Sequence, residues 1–310
     1  QYFEWHNEQR AIMTEDNWKE FQYLIMTCFR EEECGNVAHR LRPIPGHLRV
    51  ARDTNRIFLI HWDAPQRLEY FMEPPHHGSI DWIVPDYMMR AVRKVGQQTQ
   101  MNVIQEQATH ADRVIVNSMF NDFSFAEFAY NDKVQGDEVM ADRVFHDVWN
   151  VLFKPTYMMQ ERIHESLRLV ALEPGEYAAA HIDYEKHIHN KGQKRAMEEK
   201  VENALNCLSH LRPGGPFFVA AETYEISMMA QKYGDEKGVV LRTRQIAHDV
   251  ATVPKDLYAS FVEISYMWHA RCVAYNRGGY GQLGYMLGYD FDCKVKYSNP
   301  QEKKCEWRDK

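Results

Sequence analysis

Short runs of apolar residues alternate along the chain with longer segments whose apolar positions recur at helical spacing. The apolar runs predict strands at Tyr23–Cys28, Ile57–Trp62, Val114–Val116, Tyr177–Ile182, Phe217–Ala221, Val239–Leu241 and Cys272–Tyr275. The intervening segments predict a helix after Gly35, interrupted by Pro43 and Pro45, and further helices at Glu161–Val170, Arg195–Leu211, Glu225–Tyr233 and Leu257–Trp268. Because continuous apolar strands separated by helices are typical of parallel sheets covered on both faces, we predict an α/β fold.

The length of the chain indicates two domains. It has 310 residues, and a domain commonly has about 100–200 residues. The alternation of strands and helices is most regular after Glu161. We therefore predict one domain over residues 1–160, a second over residues 161–298, and a polar tail over residues 299–310. Within the first domain, Ala91–Asp142 is polar, mixed and less regular, and we expect this segment to cover a cleft or to link the two halves.

Composition excludes several classes of protein. With 45% hydrophobic and 26% charged residues, the chain is not intrinsically disordered, collagen-like or a disulfide-dense miniprotein. A net charge of −7 and a pI of about 6.1 give no indication of nucleic-acid binding. No apolar run reaches the roughly 18–20 residues that a membrane span requires, so we expect a soluble chain.

Six cysteines are present, and none of them forms a C-x-x-C pair, which excludes a zinc ribbon. The spacings Cys28/Cys34 and Cys293/Cys305 are ones that a short-loop disulfide closes, and such bonds persist in an oxidising lumen. The alternative is six reduced thiols, some of them buried as small hydrophobic side chains. The sequence leaves both alternatives open.

His181-Ile182-Asp183 is the sharpest local chemical pattern. Residues two apart on a strand point to the same face, so His181 and Asp183 are placed to share one ligand, as in non-haem iron sites. The region nevertheless predicts alternating strands and helices, whereas those oxygenases use an antiparallel jelly roll. The distal histidines, His248 and His269, also lack a basic residue about ten positions further on. We favour a strand-end His and Asp hydrogen-bonded to the next loop.

Two glycine-rich turns follow predicted strands. Gly278–Gly281 (GGYG) comes after Cys272–Tyr275 and opens a helix, where backbone N–H groups bind phosphate well. Gly35 with Arg40 forms a second candidate of the same type, because an arginine near a helix start pairs well with a diphosphate. Tight turns and surface ion pairs explain such features equally well, so neither is specific alone.

Taken together, several segments resemble the O-fucosyltransferase-like glycosyltransferases of plants and algae. The resemblance covers nearly the whole chain, from about Tyr23 to Trp307, and rests on five motifs in the same order: CGNVAHRLRPIPGHLRVARDTNRIFLIHW (Cys34–Trp62), VFHDVWNVLFKPT (Val144–Thr156), LEPGEYAAAHIDY (Leu172–Tyr184), GGPFFVAAETYE (Gly214–Glu225) and ARCVAYNRGGYGQLGYML (Ala270–Leu287). It implies two Rossmann-like domains facing across a cleft, the GT-B architecture. It also implies that the first domain binds the acceptor and that the second domain holds GDP-fucose. The implied reaction is an inverting, metal-independent transfer of fucose to a hydroxyl, and the implied location is a secretory-pathway or organelle lumen.

The chain departs from the family's pattern at positions that carry chemistry. The family has His-x-Arg at a strand end, where the arginine grips the nucleotide diphosphate; here His181 matches, but Asp183 stands in the place of the arginine. The first-domain loop of the family ends in Asn-Arg or Asp-Arg; here Arg40 matches, and His39 replaces the amide or acid. Glu222 stands where the family has an aspartate that touches the nucleotide, which is a mild change.

Scaffold positions therefore match the family better than chemical positions, which leaves two main hypotheses. We favour a fucosyltransferase-like protein in which GDP-fucose transfer is impaired or lost and which acts as a binding or structural subunit of a larger assembly. The alternative is an active fucosyltransferase whose diphosphate is held by Arg40, Arg277 or the Gly278–Gly281 helix start. A His/Asp non-haem iron protein is a distant third hypothesis.

The candidate residues follow from these hypotheses. The catalytic candidates are His39, Arg40, His181 and Asp183. The candidates for binding a nucleotide sugar are Gly35, Arg40, His181, Glu222, Thr223, Arg277, Gly278 and Gly279. We expect no metal and no cofactor beyond GDP-fucose as a donor substrate. The expected partners are a glycan or protein acceptor and an assembly partner, with no nucleic acid and no membrane span.

Overall fold

A computed structural model describes residues 1–29, 34–75, 78–98, 114–118, 138–182, 191–245, 254–275, 279–288 and 293–296. Two units emerge from the internal contacts of the chain. The N-terminal unit consists of Gln1–Gln160 and Val250–Tyr258, and the C-terminal unit consists of Glu161–Asp249 and Ala259–Lys310. We describe each unit by itself.

Strands and helices alternate in both units. The strands are β1 (Tyr23–Cys28), β2 (Ile57–Trp62), β3 (Met72–Glu73), β4 (Val114–Ser118), β5 (Lys154–Pro155), β6 (Ala178–Ile182), β7 (Phe217–Ala221), β8 (Leu241–Gln245), β9 (Cys272–Tyr275) and β10 (Lys294–Lys296). The α-helices are Tyr2–Ile12, Val37–Leu41, Ile44–Asp53, Asp86–Gln98, Glu138–Leu152, Tyr157–Leu169, Lys191–Leu211, Tyr224–Lys237, Pro254–Trp268 and Gly279–Leu287. No helix in these described segments is both long and apolar enough to cross a membrane.

The N-terminal unit is built on a parallel sheet in the order β2-β1-β4. An isolated parallel bridge between Ile60 and Ile83 extends the sheet beyond β2. Every residue of β1 and β2 is buried, as expected for apolar strands that are covered on both faces. Ile25 and Leu59 belong to one core cluster with Met88 of helix Asp86–Gln98. Helix Asp86–Gln98 therefore packs against one face of this sheet.

The helix expected after Gly35 is divided at Pro43, as the prolines predict. Helix Val37–Leu41 ends, and helix Ile44–Asp53 then begins with Pro43 at its N-cap and Pro45 in its first turn. Proline has no backbone N–H and is therefore tolerated only in the first turn of a helix. The short first helix stays next to the carboxyl end of β1, and it carries both His39 and Arg40.

The C-terminal unit has a five-stranded parallel sheet in the order β10-β9-β6-β7-β8. The first strand, β6, is central; the chain adds β7 and β8 on one side and then crosses to add β9 and β10 on the other. This is the doubly wound arrangement, with its switch point between β6 and β9. Small residues such as Ala178 and Ala180 share a core cluster with Val201 and Leu205 of helix Lys191–Leu211. The predicted α/β class with parallel sheets is confirmed.

The structure corrects one predicted strand and adds one helix that the sequence pattern did not predict. The strand predicted at Val239–Leu241 is β8, and its observed bounds are Leu241–Gln245. It lies at the edge of the sheet, where arginines are tolerated, so an apolar run does not mark the bounds of the strand. The segment Ala91–Asp142 includes parts of helices Asp86–Gln98 and Glu138–Leu152 as well as β4. The N-terminal helix Tyr2–Ile12 was not predicted, since its sequence is largely polar.

Two disulfides join described residues. Cys28–Cys34 forms as the spacing predicts, with Cα atoms 5.7 Å apart. The predicted Cys293/Cys305 pair is wrong, because Cys293 bonds to Cys272. The parallel register pairs Lys294 with Val273, which brings the two preceding cysteines side by side with a Cα–Cα distance of 4.7 Å. No cysteine at a described position is free, so the alternative of reduced thiols is wrong there.

Candidate functional site

His181 lies at the switch point of the C-terminal sheet. It is the penultimate residue of β6, pairs with Ala220 of β7, and is fully buried. In doubly wound sheets, ligands bind outside the carboxyl ends of the strands at this point. The alanine-rich run before His181 packs the sheet into the core, and the histidine is the first large polar side chain at its carboxyl end. The structure thus places His181 where the sequence predicts a site.

Helix Gly279–Leu287 approaches His181 closely. A Cβ atom on Gly281 would lie 2.7 Å from Nδ1 of His181 and 3.1 Å from its Cβ and Cγ. Distances under 3.0 Å do not occur between real Cβ atoms and their neighbours, so this contact requires glycine. The glycine-rich turn predicted at Gly278–Gly281 does open a helix, which begins at Gly279.

Glu222 and Thr223 follow β7 at the same edge of the sheet. The register pairs Ile182 with Ala221, so Glu222 comes level with the end of β6. Thr223 is the N-cap of helix Tyr224–Lys237, and its Oγ1 accepts a hydrogen bond of 3.3 Å from the N–H of Ile226. The hydroxyl therefore satisfies an otherwise unpaired backbone donor of the helix. The structure brings Glu222 and Thr223 to the same edge as His181.

Asp183, Arg277 and Gly278 lie outside the described residues, as does His248 of the iron hypothesis. His269 follows helix Pro254–Trp268 and donates a 2.9 Å hydrogen bond from Nδ1 to the Ser265 carbonyl, and burial lowers its pKa. Among the residues that the structure describes, no group of three or more His, Cys, Asp or Glu side chains could hold a metal ion.

Gly35 and His39 form a second glycine–histidine contact, in the N-terminal unit. Gly35 has φ +63°, and a Cβ there would lie 2.8 Å from Nδ1 of His39. Asn36 caps the following helix, because its Oδ1 accepts a 3.1 Å hydrogen bond from the N–H of His39. His39 itself is exposed. The loop after β1 is therefore shaped by a required glycine, as the glycine-rich pattern suggests.

Arg40 is fully buried beneath this loop. Its Nε donates to the carbonyl of Gly35 at 3.1 Å, and its Nη1 donates to the carbonyl of Ala64 at 2.7 Å. The guanidinium carbon lies 5.3 Å from the centre of the Trp62 ring, a cation–π contact. Arg40 thus joins the loop after β1 to the loop after β2.

A polar cluster at the end of β2 was missed by the sequence interpretation. His61 is fully buried, and neither ring nitrogen has a hydrogen-bond partner among the residues that the structure describes. Its Nε2 lies 4.0 Å from Oδ2 of Asp63, which Arg93 holds with two hydrogen bonds of 2.7 and 2.8 Å. Burial lowers the pKa of His61 to about 4 against the opposing effect of Asp63. His61-Trp62-Asp63, polar residues at the end of an apolar strand, was the available signal.

Comparison with known proteins gives matches in fold only. No protein-family model matches the chain, and neither does any curated protein. A mutant of Arabidopsis thaliana FUT1 in complex with GDP is similar to it with a TM-score of 0.63 and 11% identity, over 97% of this chain and 78% of that one. The NodZ α-1,6-fucosyltransferase soaked with GDP-fucose, a protein known from Bradyrhizobium, gives 0.52 and 9% over 89% and 95%. POFUT1 in complex with GDP gives 0.50 and 9% over 90% and 98%. The chain therefore has the α/β fold of GT-B fucosyltransferases.

Proposed function

We propose that this chain is a fucosyltransferase-like protein in which GDP-fucose transfer is impaired or lost, and that it acts as a binding or structural subunit of a larger assembly. Its fold, shared with fucosyltransferases that bind GDP or GDP-fucose, supports the first part of the proposal. The observation that carries the second part is the acid at position 183, two residues after His181, where the family resemblance calls for an arginine. A glycan or protein acceptor and an assembly partner are its expected ligands.

The charge at position 183 matters because a diphosphate is an anion. Two unit charges about 4 Å apart interact with on the order of 4 kcal/mol at an effective dielectric constant near 20. Replacing an arginine with Asp183 removes that attraction and adds a repulsion of similar size. Since about 1.4 kcal/mol corresponds to a factor of ten in an equilibrium constant, the expected loss of affinity is several orders of magnitude.

The geometry of Arg40 supports this proposal over an active enzyme. Two of its donor nitrogens already bond the carbonyls of Gly35 and Ala64, and its side chain is fully buried. A diphosphate bound by Arg40 would have to displace those bonds, each of which contributes about 1.5–3 kcal/mol when the donor is charged. Of the three groups that the sequence offers in place of the missing arginine, Arg277 and the helix start at Gly278–Gly281 remain.

An active, inverting, metal-independent fucosyltransferase is the second candidate. One observation favours it: His181, Glu222 and Thr223 all lie at the carboxyl edge of the C-terminal sheet. A working site would need this edge intact. Both candidate functions therefore use the same backbone at this edge, and what separates them is the effect of the charge at position 183.

Calorimetric titration with GDP tests the proposal. We expect no micromolar binding by the wild type, and a gain of at least about tenfold in affinity for Asp183→Arg, because attraction replaces repulsion. Glu236→Arg is the matched control, since it makes the same charge change on an exposed face of helix Tyr224–Lys237, where Glu236 makes only a 3.7 Å ion pair with Lys232. Micromolar binding by the wild type, or equal gains in the two variants, would overturn the proposal.

Turnover separates the two candidates. The active-enzyme candidate requires that purified protein releases or transfers fucose from GDP-fucose in the presence of a metal chelator, and that His181→Ala abolishes this. The favoured candidate requires no turnover above that of heat-denatured protein. Turnover by the wild type that His181→Ala removes would establish the enzyme and refute the loss of activity.

We further propose a secretory-pathway or organelle lumen as the location. The Cys28–Cys34 and Cys272–Cys293 disulfides support it, because such bonds form and persist in oxidising compartments. Protease protection of the chain in sealed membrane vesicles tests this. The chain should resist protease until detergent is added, and digestion without detergent would contradict the location.

A further inference from the structure

Two glycines of helix Gly279–Leu287 bring the backbone of the helix against its neighbours. They lie three residues apart, so they occupy the same side of the helix. A Cβ on Gly281 would lie 2.7 Å from Nδ1 of His181, and a Cβ on Gly284 would lie 2.5 Å from Cε of Met267. Both contacts are too close for any side chain. They differ in what they touch, because only Gly281 contacts the strand-end histidine.

The contact at Gly281 involves the base of the imidazole as well as its outer edge. The atoms nearest to the added Cβ include Cβ and Cγ of His181, each at 3.1 Å. A flexible side chain can swing its far end away, but an imidazole packed at its root can only rotate about χ1 or shift with its strand. His181 is fully buried in the central strand of the sheet, which resists a shift. Adding a methyl group at Gly281 must therefore turn the ring or displace the helix.

We infer that Gly281 is a positioning residue for His181. The absence of a side chain at Gly281 allows helix Gly279–Leu287 to rest on the imidazole and to fix its orientation at the switch point between β6 and β9. The inference rests on the proposed function, because the orientation of His181 affects binding only if a nucleotide site lies at this edge of the sheet. The sequence pattern placed Gly281 in a turn suited to phosphate binding, and neither that pattern nor the family resemblance gave it a role toward His181.

Gly284 supplies the contrast that separates positioning from packing. Gly284→Ala makes an equally close collision one turn along the same helix, but against Met267. Helix propensity alone favours alanine at both positions. A purely structural role would therefore make the two variants alike, whereas a positioning role distinguishes them at His181.

The first test observes the imidazole signal of His181 directly, in the absence of nucleotide. The protein is labelled with ¹³C,¹⁵N-histidine, and the His181 imidazole signal is assigned by its loss in His181→Ala. We expect Gly281→Ala to move this signal and Gly284→Ala to leave it in place. Equal displacement by both variants, or none by Gly281→Ala, would overturn the inference.

The second test measures GDP affinity in the Asp183→Arg background. There we expect Gly281→Ala to weaken binding by at least about tenfold, and Gly284→Ala by less than about threefold. In a chain that also carries His181→Ala, Gly281→Ala should weaken binding no further, because it acts through the imidazole. Additive effects of Gly281→Ala and His181→Ala would refute the inference. If Asp183→Arg gains no affinity, the nucleotide site is lost more broadly than at position 183, and the imidazole signal alone decides the inference.

A third measurement covers the case in which Gly281→Ala folds poorly. Truncating the imidazole frees the space that the new methyl group needs, so His181→Ala should restore the thermal stability that Gly281→Ala loses. The same truncation should not rescue Gly284→Ala, whose methyl group meets Met267. Rescue of both variants, or of neither, would contradict the specific contact between Gly281 and His181.

Discussion

Three histidines are buried among the described residues of the N-terminal unit, and acidification should unfold this unit. Burial is the main cause that lowers the pKa of His6, His47 and His61, each to about 4. His6 and His47 hydrogen-bond the backbone carbonyls of Phe58 and Pro43, at 3.0 and 2.8 Å, and these bonds only partly offset the cost of charging. All three are therefore neutral in the folded chain at neutral pH.

The sign of the pH dependence follows from comparing the two states. An unfolded histidine has a pKa of about 6.5, so between about pH 6.5 and 4 the unfolded chain binds more protons than the folded one. Stability then falls as the pH falls through this window. A difference of about 2.5 units gives about 3 kcal/mol per histidine once the pH is below both values, and about 2 kcal/mol each at pH 5.

The combined loss is large compared with the stability of a domain. Three such histidines give about 6 kcal/mol at pH 5, whereas a domain is stable by roughly 5–15 kcal/mol. Aspartate and glutamate titrate mainly below about pH 5, so the interval between pH 7 and 5 isolates the histidines. We expect the free energy of unfolding of this unit to fall steeply over that interval.

Urea unfolding followed by tryptophan fluorescence measures this loss. Five of the seven tryptophans belong to the N-terminal unit: Trp5, Trp18, Trp62, Trp82 and Trp149. His47→Leu should lower the pH slope by about one third. A wild-type stability that is constant from pH 7 to 5, or a slope unaffected by His47→Leu, would refute the reasoning.

Three further predictions concern the loop after β1, each measured by urea unfolding at neutral pH. Replacing Cys28 and Cys34 together by serine should cost about 2 kcal/mol, because the disulfide closes a loop of sequence separation 6. Arg40→Met should cost about 3 kcal/mol, since two buried carbonyls lose a charged donor; a loss below about 1 kcal/mol would contradict this account. Gly35→Ala should cost about 1–2 kcal/mol because φ is +63°, and His39→Ala should recover only the part due to the contact with the imidazole.

The strands that the sequence predicts correctly are the ones buried on both faces. Ile57–Trp62 and Phe217–Ala221 are continuous apolar runs, and the structure has them with the same bounds. Such runs carry their own signal, because every position faces the core. At the edge strand β8, Arg242 and Arg244 alternate with less polar residues, so local hydrophobicity no longer marks the strand.

Long-range pairings account for most of what the sequence does not predict. The Asp63–Arg93 ion pair joins residues 30 positions apart, and nothing in either local pattern indicates the other. Cys272 pairs with Cys293 because β10 lies beside β9, and the order of strands in a sheet cannot be read from one apolar run. A local pattern is a better guide to a helix start: the helix predicted from Glu225 begins one residue earlier, at Tyr224, directly after its N-cap Thr223.

The two glycine–histidine contacts show why matching motifs say little about activity. Gly35 contacts His39 within one turn of chain, and Gly281 contacts His181 from across the sequence, yet both exist because a backbone comes too close to an imidazole for a side chain to fit. Packing alone preserves such a contact in a protein that has lost its chemistry. A charged residue has no such packing role, so we expect the Asp183→Arg titration to bear on activity where the glycine–histidine contacts do not.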